Sequence, residues 1–229
     1  MRSREAAQGV APAESVFVVG LGRFGASMAS TLVELDIEVM AVDIDQKLVD
    51  HWADELTHVR LADATDSATL KQLGAAGFDA AVVAIGTGME ASILSTAALR
   101  DVGVDNIWAK ALSDEHGRIL ERIGADHVVY PERQMGERVA RLVTGHFLDY
   151  FQIDEGFVLA ELEAPEELLG ATLGDSDIRS RFGVTVVCVK PELSVFTYAT
   201  VDTVPRKGDV LVVAGEVKAV ERFLDFAAG

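Results

Sequence analysis

The stretch VFVVGLGRFG (residues 16–25) decides the fold. Val16, Phe17, Val18 and Val19 read as a short apolar strand, and Gly20, Gly22 and Gly25 follow as G-x-G-x-x-G. Behind them, residues 24–35 place Met28, Leu32 and Leu35 on one helical face. In that strand, turn and helix context, bare backbones let an anion approach the amide donors at a helix N-terminus, where the dipole favours it.

The alternation continues outward. Strands are expected at 37–43, 59–62, 80–85, 107–111 and 127–130, with helices from about 45 and 67, then at 91–100 and 114–123. Six strands that are apolar on both faces predict an α/β, Rossmann-type, doubly wound parallel sheet covered by helices. This domain is expected over 15–131. Pro131 ends the last strand, and Met135, Val139, Leu142, Val143 and Phe147 keep helical spacing through 132–150. A crossover helix linking two domains, and reaching a partner subunit, is therefore expected over 132–151. From 152 the period becomes two, with strands at 157–162, 184–189 and 210–214 and helices at 176–182 and 217–227. The expectation for 152–229 is a small α+β domain.

Composition sets the outer bounds. The 229 residues are 49% hydrophobic and carry a formal net charge of −17. That is ample for real cores, and it argues against a general nucleic-acid or anionic-membrane surface. A nucleotide must be held locally, against the global field. Cys188 is the single cysteine, so neither an internal disulfide nor a thiolate cluster can form within one chain; a reducing compartment is expected. Residues 1–14 read as a loose tail, and no apolar run reaches the ~20 residues a membrane span needs.

Asp43 ends the second strand about twenty residues beyond the glycine turn, where a carboxylate meets a ribose diol and disfavours a 2'-phosphate. Arg23 at the loop tip suits a ligand with more negative charge than the pyrophosphate of NAD, which points to ADP or ATP; the alternative is a solvated surface arginine. Asp63, Ala64 and Thr65 follow the third strand and Gly86-Thr87-Gly88 the fourth, on the same sheet edge. Signs of catalysis are few. His51, His58, His116, His127 and His146 lack ligand spacing, Cys188 reads as buried and inert, and no G-x-x-x-x-G-K-[ST] loop occurs. The residues support holding a nucleotide, and no group is placed to transform it.

GLGRFG, AVD at 41–43, ADAT at 62–65, AIGTGMEAS at 84–92, IWAKA at 107–111 and IGADHVVYPERQMG at 123–136 together resemble the KTN/RCK (TrkA-N plus TrkA-C) family of potassium-transport regulators. DIRSRFGVTVVCVKP and RKGDVLVVAG resemble its C-terminal (RCK-C) domain. The resemblance implies a cytoplasmic, non-enzymatic gating subunit, peripheral to the inner face of the cell membrane. It would form a homodimer that assembles to an octameric ring on a membrane potassium transporter subunit, with ATP activating and ADP inactivating. By resemblance, Gly20, Gly22, Arg23, Phe24 and Gly25 hold phosphates and Asp43 the ribose. Asp63, Ala64 and Thr65 border the adenine, Ile85 and Gly86 line the site, and Lys110 lies near the terminal phosphate, an exposed strand-end lysine being the plainer reading. Glu132 is implied near the terminal phosphate as a ligand for Mg2+ or Ca2+ at the dimer interface, against helix N-terminal stabilisation as the plainer reading. Ile178, Arg179 and Phe182 match a segment that binds cyclic di-AMP in some relatives, though Ile178 and Phe182, four apart, also suit packing of a short helix. An NAD(H)-responsive sensor and a small NAD-dependent oxidoreductase stand as alternatives.

Overall fold

The computed structural model describes residues 13–143, 148–154 and 156–227. Most of the tail expected over 1–14, and both His146 and Phe147, lie outside the described residues. The chain divides into two compact units, Met1–Pro131 and Glu132–Gly229.

In the first unit, strands β1 (Ser15–Val19), β2 (Glu38–Asp43), β3 (His58–Leu61), β4 (Ala80–Val83), β5 (Ile107–Lys110) and β6 (His127–Val129) form one sheet in the order β3-β2-β1-β4-β5-β6. Every pairing is parallel. Helices α1 (Arg23–Glu34), α2 (Gln46–Trp52), α3 (Ser67–Gln72), α4 (Met89–Asp101) and α5 (Asp114–Ile123) alternate with the strands. This is the expected doubly wound order, with its reversal between β1 and β4. The period of two sends Phe17, Val19 and Val83 into one core cluster and Val16, Val18 and Val82 into another. Helices therefore cover both faces, which is why the strands read as continuous apolar runs.

Polar clamps fix the sheet edge away from the strand C-termini. The Arg100 guanidinium donates to the carbonyl of Val104 at 2.9 Å and to Asp126 at 2.6 Å, and the same Asp126 oxygen accepts the Ile107 N–H. Asp79 Oδ2 accepts the N–H groups of Glu14 and Ser15 and the Ser15 hydroxyl at 2.9–3.0 Å, binding the start of β1 to the entry of β4. Those hydrogen bonds, led by the Glu14 N–H, hold the Asp79 carboxyl below the ordinary range. A depressed carboxylate stabilises above its unfolded pKa, and that contribution is lost as pH falls through the folded value. Asp79→Asn is thus expected to lower stability at neutral pH and to flatten its decline in acid. Both tryptophans, Trp52 and Trp108, lie in the first unit, so unfolding followed by fluorescence between neutral pH and about pH 3 reads this directly. An undiminished acid slope in Asp79→Asn would remove Asp79 from the account.

The second unit opens with helix α6 (Pro131–Val143), entered through a proline suited to a first helical turn. Strands β7 (Asp149–Asp154), β8 (Phe157–Glu163), β9 (Thr185–Lys190), β10 (Thr197–Tyr198) and β11 (Val210–Glu216) form an antiparallel sheet ordered β10-β9-β11-β8-β7. Helix α8 (Val217–Ala227) lays Val220, Phe223 and Leu224 against Val158, Ala160, Leu211 and Val213, and the short helix α7 (Ile178–Phe182) adds Ile178.

Two expectations need correction. The helix does not reach 150: α6 ends at Val143, and Asp149, Tyr150 and Phe151 belong to β7. Tyr150 is buried against the second core and pairs with Ala160 of β8, so strand pairing takes over where Val143 and Phe147 continue a helical spacing on paper. Nor is Cys188 fully buried. It is half-buried because β9 is irregular opposite Val212 and Val213 and pairs Cys188 with Tyr198 of the two-residue edge strand β10. Among the described residues, no helix is long and apolar enough to cross a membrane.

Candidate functional site

The glycine loop lies where β1 meets β4. Gly20 has φ +96°, and a Cβ there would sit 3.3 Å from the backbone of Ala84. At Gly25 an added Cβ would overlap the Gly20 carbonyl oxygen and come within 2.9 Å of the Ala84 Cβ. These two glycines are demanded by the packing of the chain itself. Gly22 is different: its φ of −64° and ψ of 178° suit any residue, and an added Cβ would meet nothing within 4 Å. The protein's own packing gives no reason for a glycine there. Its bare backbone leaves room for the close approach of an external group.

The helix ends point the same way. Asp45, Asp66 and Ser113 cap α2, α3 and α5 with side-chain oxygens. In contrast α1 and α4, which follow the two strands at the order reversal, begin at Gly22 and Gly88 with no side-chain cap. The first backbone bond of α1 runs from Ala26 N–H to the Gly22 carbonyl at 2.9 Å, so the N–H groups of Arg23, Phe24 and Gly25 precede the ladder. They make a cradle of backbone donors that, with the helix dipole behind it, can accept an anion.

Asp43 holds that cradle in place. Its Oδ2 accepts the Leu21 N–H at 2.6 Å and its Oδ1 the Asp45 N–H at 2.9 Å. Each carboxylate oxygen retains acceptor capacity for a further donor such as a hydroxyl. Lys110, only 5% exposed, carries its Nζ 5.6 Å above the centre of the Phe24 ring, and a Cβ at Gly86 would lie 3.5 Å from that Nζ. The β1–α1 loop, the β4–α4 loop and the end of β5 thus converge, with a buried cation among them. Arg23 is exposed at the start of α1.

The remaining residues named from sequence divide. Asp63 accepts the Thr65 N–H and hydroxyl at 2.9 and 2.7 Å, and the Ala62 N–H donates to the Asp43 carbonyl, so this turn adjoins the site. Ala64 is 4% exposed and Ile85 half-buried, both packed in the first core. Glu132 is exposed in the first turn of α6 and belongs to the second unit. Among the described residues no group of three or more His, Cys, Asp or Glu is placed to hold a metal ion. A cation on Glu132 would need oxygens from elsewhere.

His116, one of the five histidines without ligand spacing, stands in the first turn of α5. It is fully buried, its Nδ1 accepts the Leu112 N–H at 3.3 Å, and its own N–H donates to Ser113 Oγ. Burial pushes its pKa down, keeping the ring neutral and Nδ1 an acceptor. It thereby fixes the turn directly after Lys110. Only its place three residues into a capped helix hinted at this.

The second unit holds a cavity of about 400 Å³ lined by Leu173, Ile178, Arg179, Thr185, Ala199 and Val201. Ile178 is 4% exposed and serves both core and cavity wall, while Arg179 Nε donates to Thr185 Oγ1 at 3.1 Å. Phe182 packs on Phe223 and Phe226 at 5.4 and 4.9 Å between ring centres.

Comparison with known proteins adds a lineage. Residues 16–131 match the TrkA-N domain family. The chain is 42% identical over 207 residues to the Ktr system potassium uptake protein C of Bacillus subtilis (strain 168), covering 90% of this chain and 94% of that protein. It is 34% identical to the Ktr system potassium uptake protein A of the same organism, covering 90% and 93%. Among solved structures it is similar to the GsuK RCK domain, with a TM-score of 0.65, 19% identity and coverage of 94% of this chain and 48% of that one. A GsuK channel bound to NAD gives 0.64 and 20%, covering 94% and 39%. The chain spans less than half the length of those two solved chains, and at such identity they show a shared fold.

Proposed function

The chain belongs to the TrkA-N domain family, and on that premise we propose that it is a nucleotide-sensing regulatory subunit of a Ktr-type potassium uptake system. The observation that carries the reading is the uncapped start of α1 at Gly22, open where the fold needs no glycine, beside the buried cation of Lys110. In a chain of net charge −17, these fixed dipoles and local cations are what attract a polyanionic adenylate. ATP and ADP are the ligands, the third phosphate being read by Arg23 and Lys110. Regulation follows from unequal affinity for two arrangements of the protein, ATP favouring the activating one. The working assembly is a homodimer built into an octameric ring, at the inner face of the membrane on a transporter subunit. A Mg2+ or Ca2+ ion shared across the dimer, with Glu132 and phosphate oxygens as ligands, balances the facing triphosphates.

The test is calorimetric titration of ATP, ADP, NAD and NADH, each with and without Mg2+ or Ca2+. ATP and ADP are expected to bind more tightly than either dinucleotide. Tighter NADH binding, together with turnover on the order of 1 per second, would move the protein to the oxidoreductase class. Arg23→Ala is expected to weaken ATP about tenfold, the scale of one charge-assisted contact, and NAD much less. Equal losses would return Arg23 to the solvent surface.

The cavity bearing Ile178 and Arg179 supports a second ligand, cyclic di-AMP, in the C-terminal unit. Adding it to the same titrations, with Arg179→Ala as the control, reports on that reading.

A further inference from the structure

We propose that the Arg138–Asp149 pair is the clasp through which the nucleotide state of the first unit is conveyed to the C-terminal sheet, an inference that rests on the regulatory reading above. Helix α6 begins at Pro131, the last residue of the first unit, and continues to Val143 in the second. Much of its apolar surface is spent elsewhere than on the core: Met135, Val139 and Val143 are 54%, 45% and 78% exposed. Leu142 packs against the second core. Arg138 makes a polar attachment to the sheet.

The geometry of that attachment is that of a lock. Arg138 Nη2 donates to both oxygens of Asp149, at 2.7 and 2.8 Å, and Nε donates to Oδ1 at 3.1 Å. The Asp149 carboxylate also accepts the Tyr150 N–H at 2.7 Å, and the guanidinium lies 4.8 Å from the centre of the Phe151 ring. The fork, the backbone bond and the ring together fix one orientation, which a lysine's point charge could not do. Burial pushes the Asp149 carboxyl up, and the bonds from Arg138 and Tyr150 more than offset it, leaving it ionised at neutral pH.

The clasp also sits at an informative place along the helix. Gly136, with open space around it, is a soft point in the helix interior two residues before Arg138. Beyond it the helix is joined to β7, at the edge of the sheet next to β8. A displacement entering α6 at Pro131 is therefore passed to β7 and β8 if Arg138 holds, and is absorbed at Gly136 if it does not.

The experiment uses the full chain with ATP or ADP and Mg2+, reading hydrogen exchange in peptides spanning 149–163 beside the calorimetric Kd of each nucleotide. In the parent protein the two nucleotides are expected to give exchange rates differing about fivefold or more in β7 and β8, the low end of ordinary coupling. Arg138→Gln and Asp149→Asn are expected to keep both Kd values within about twofold and to erase that difference, since they break the link and spare the nucleotide site. Arg138→Lys, which keeps charge and stem, retains only part of it and keeps the test decisive if Arg138→Gln fails to fold. The exchanged pair R138D/D149R restores it. A full difference persisting in both single variants overturns the inference and leaves the regulatory reading standing, as does a shared loss of nucleotide affinity. If the parent binds both nucleotides and shows no difference, the regulatory reading fails and the clasp with it.

Discussion

Gly25→Ala is expected to cost the first unit about 3–5 kcal/mol, above the usual ~1–3 for overpacking, because the new methyl group would overlap backbone. The obstacle is the Gly20 carbonyl, itself tied to the sheet by the Gly20 N–H bond to Val42 at 2.8 Å, with the Ala84 methyl group behind it. Neither can swing aside as the end of a long side chain would. A loss of that size is a large share of a domain's roughly 5–15 kcal/mol, and it is expected to lower the Tm of the first unit by on the order of 10 °C or more. Tryptophan fluorescence follows it cleanly, since Trp52 and Trp108 both lie in that unit. A Tm within about 2 °C of the parent, less than 1 kcal/mol for a unit of this size, would mean that the loop does not pack as described.

Gly22→Asp separates the ligand from the fold. Asp is among the strongest N-cap residues, Gly22 already has an extended conformation open to it, and nothing within 4 Å obstructs it. Helix α1 should be as stable or a few tenths of a kcal/mol more so. The same carboxylate would occupy the anion cradle and repel phosphate, so ATP affinity is expected to fall at least about 100-fold, near 2.7 kcal/mol. Opposite signs in stability and binding are the result to look for, by thermal melting and calorimetry on one preparation. Retained ATP affinity would show that phosphates do not sit at the start of α1, and the proposed function would lose its main support.

Much of this was readable from the chain because local signals agreed. Strands apolar on both faces need cover on both sides, and G-x-G-x-x-G between strand and helix has few uses. All six strands of the first unit fall where the apolar runs place them. The second unit was harder. At 143–151 a helical spacing ran on in letters where Tyr150 and Phe151 had already turned to a strand, and the two-residue β10 is too short to carry a pattern. Ile178, Arg179 and Phe182 stood together in sequence, yet Phe182 packs an aromatic cluster while Ile178 and Arg179 line a cavity.

Periodicity and glycine spacing determined the element order, the doubly wound sheet and the position of the glycine turn, because these follow from covalent geometry and from which faces must leave water. Residue letters cannot tell which glycine serves packing and which leaves room. Three-dimensional packing decided that a Cβ at Gly25 would strike Gly20, that one at Gly22 would meet nothing, that Lys110 is buried over Phe24, and that Arg138 finds Asp149 eleven residues on. Those facts depend on distances between segments that only the closed fold brings together.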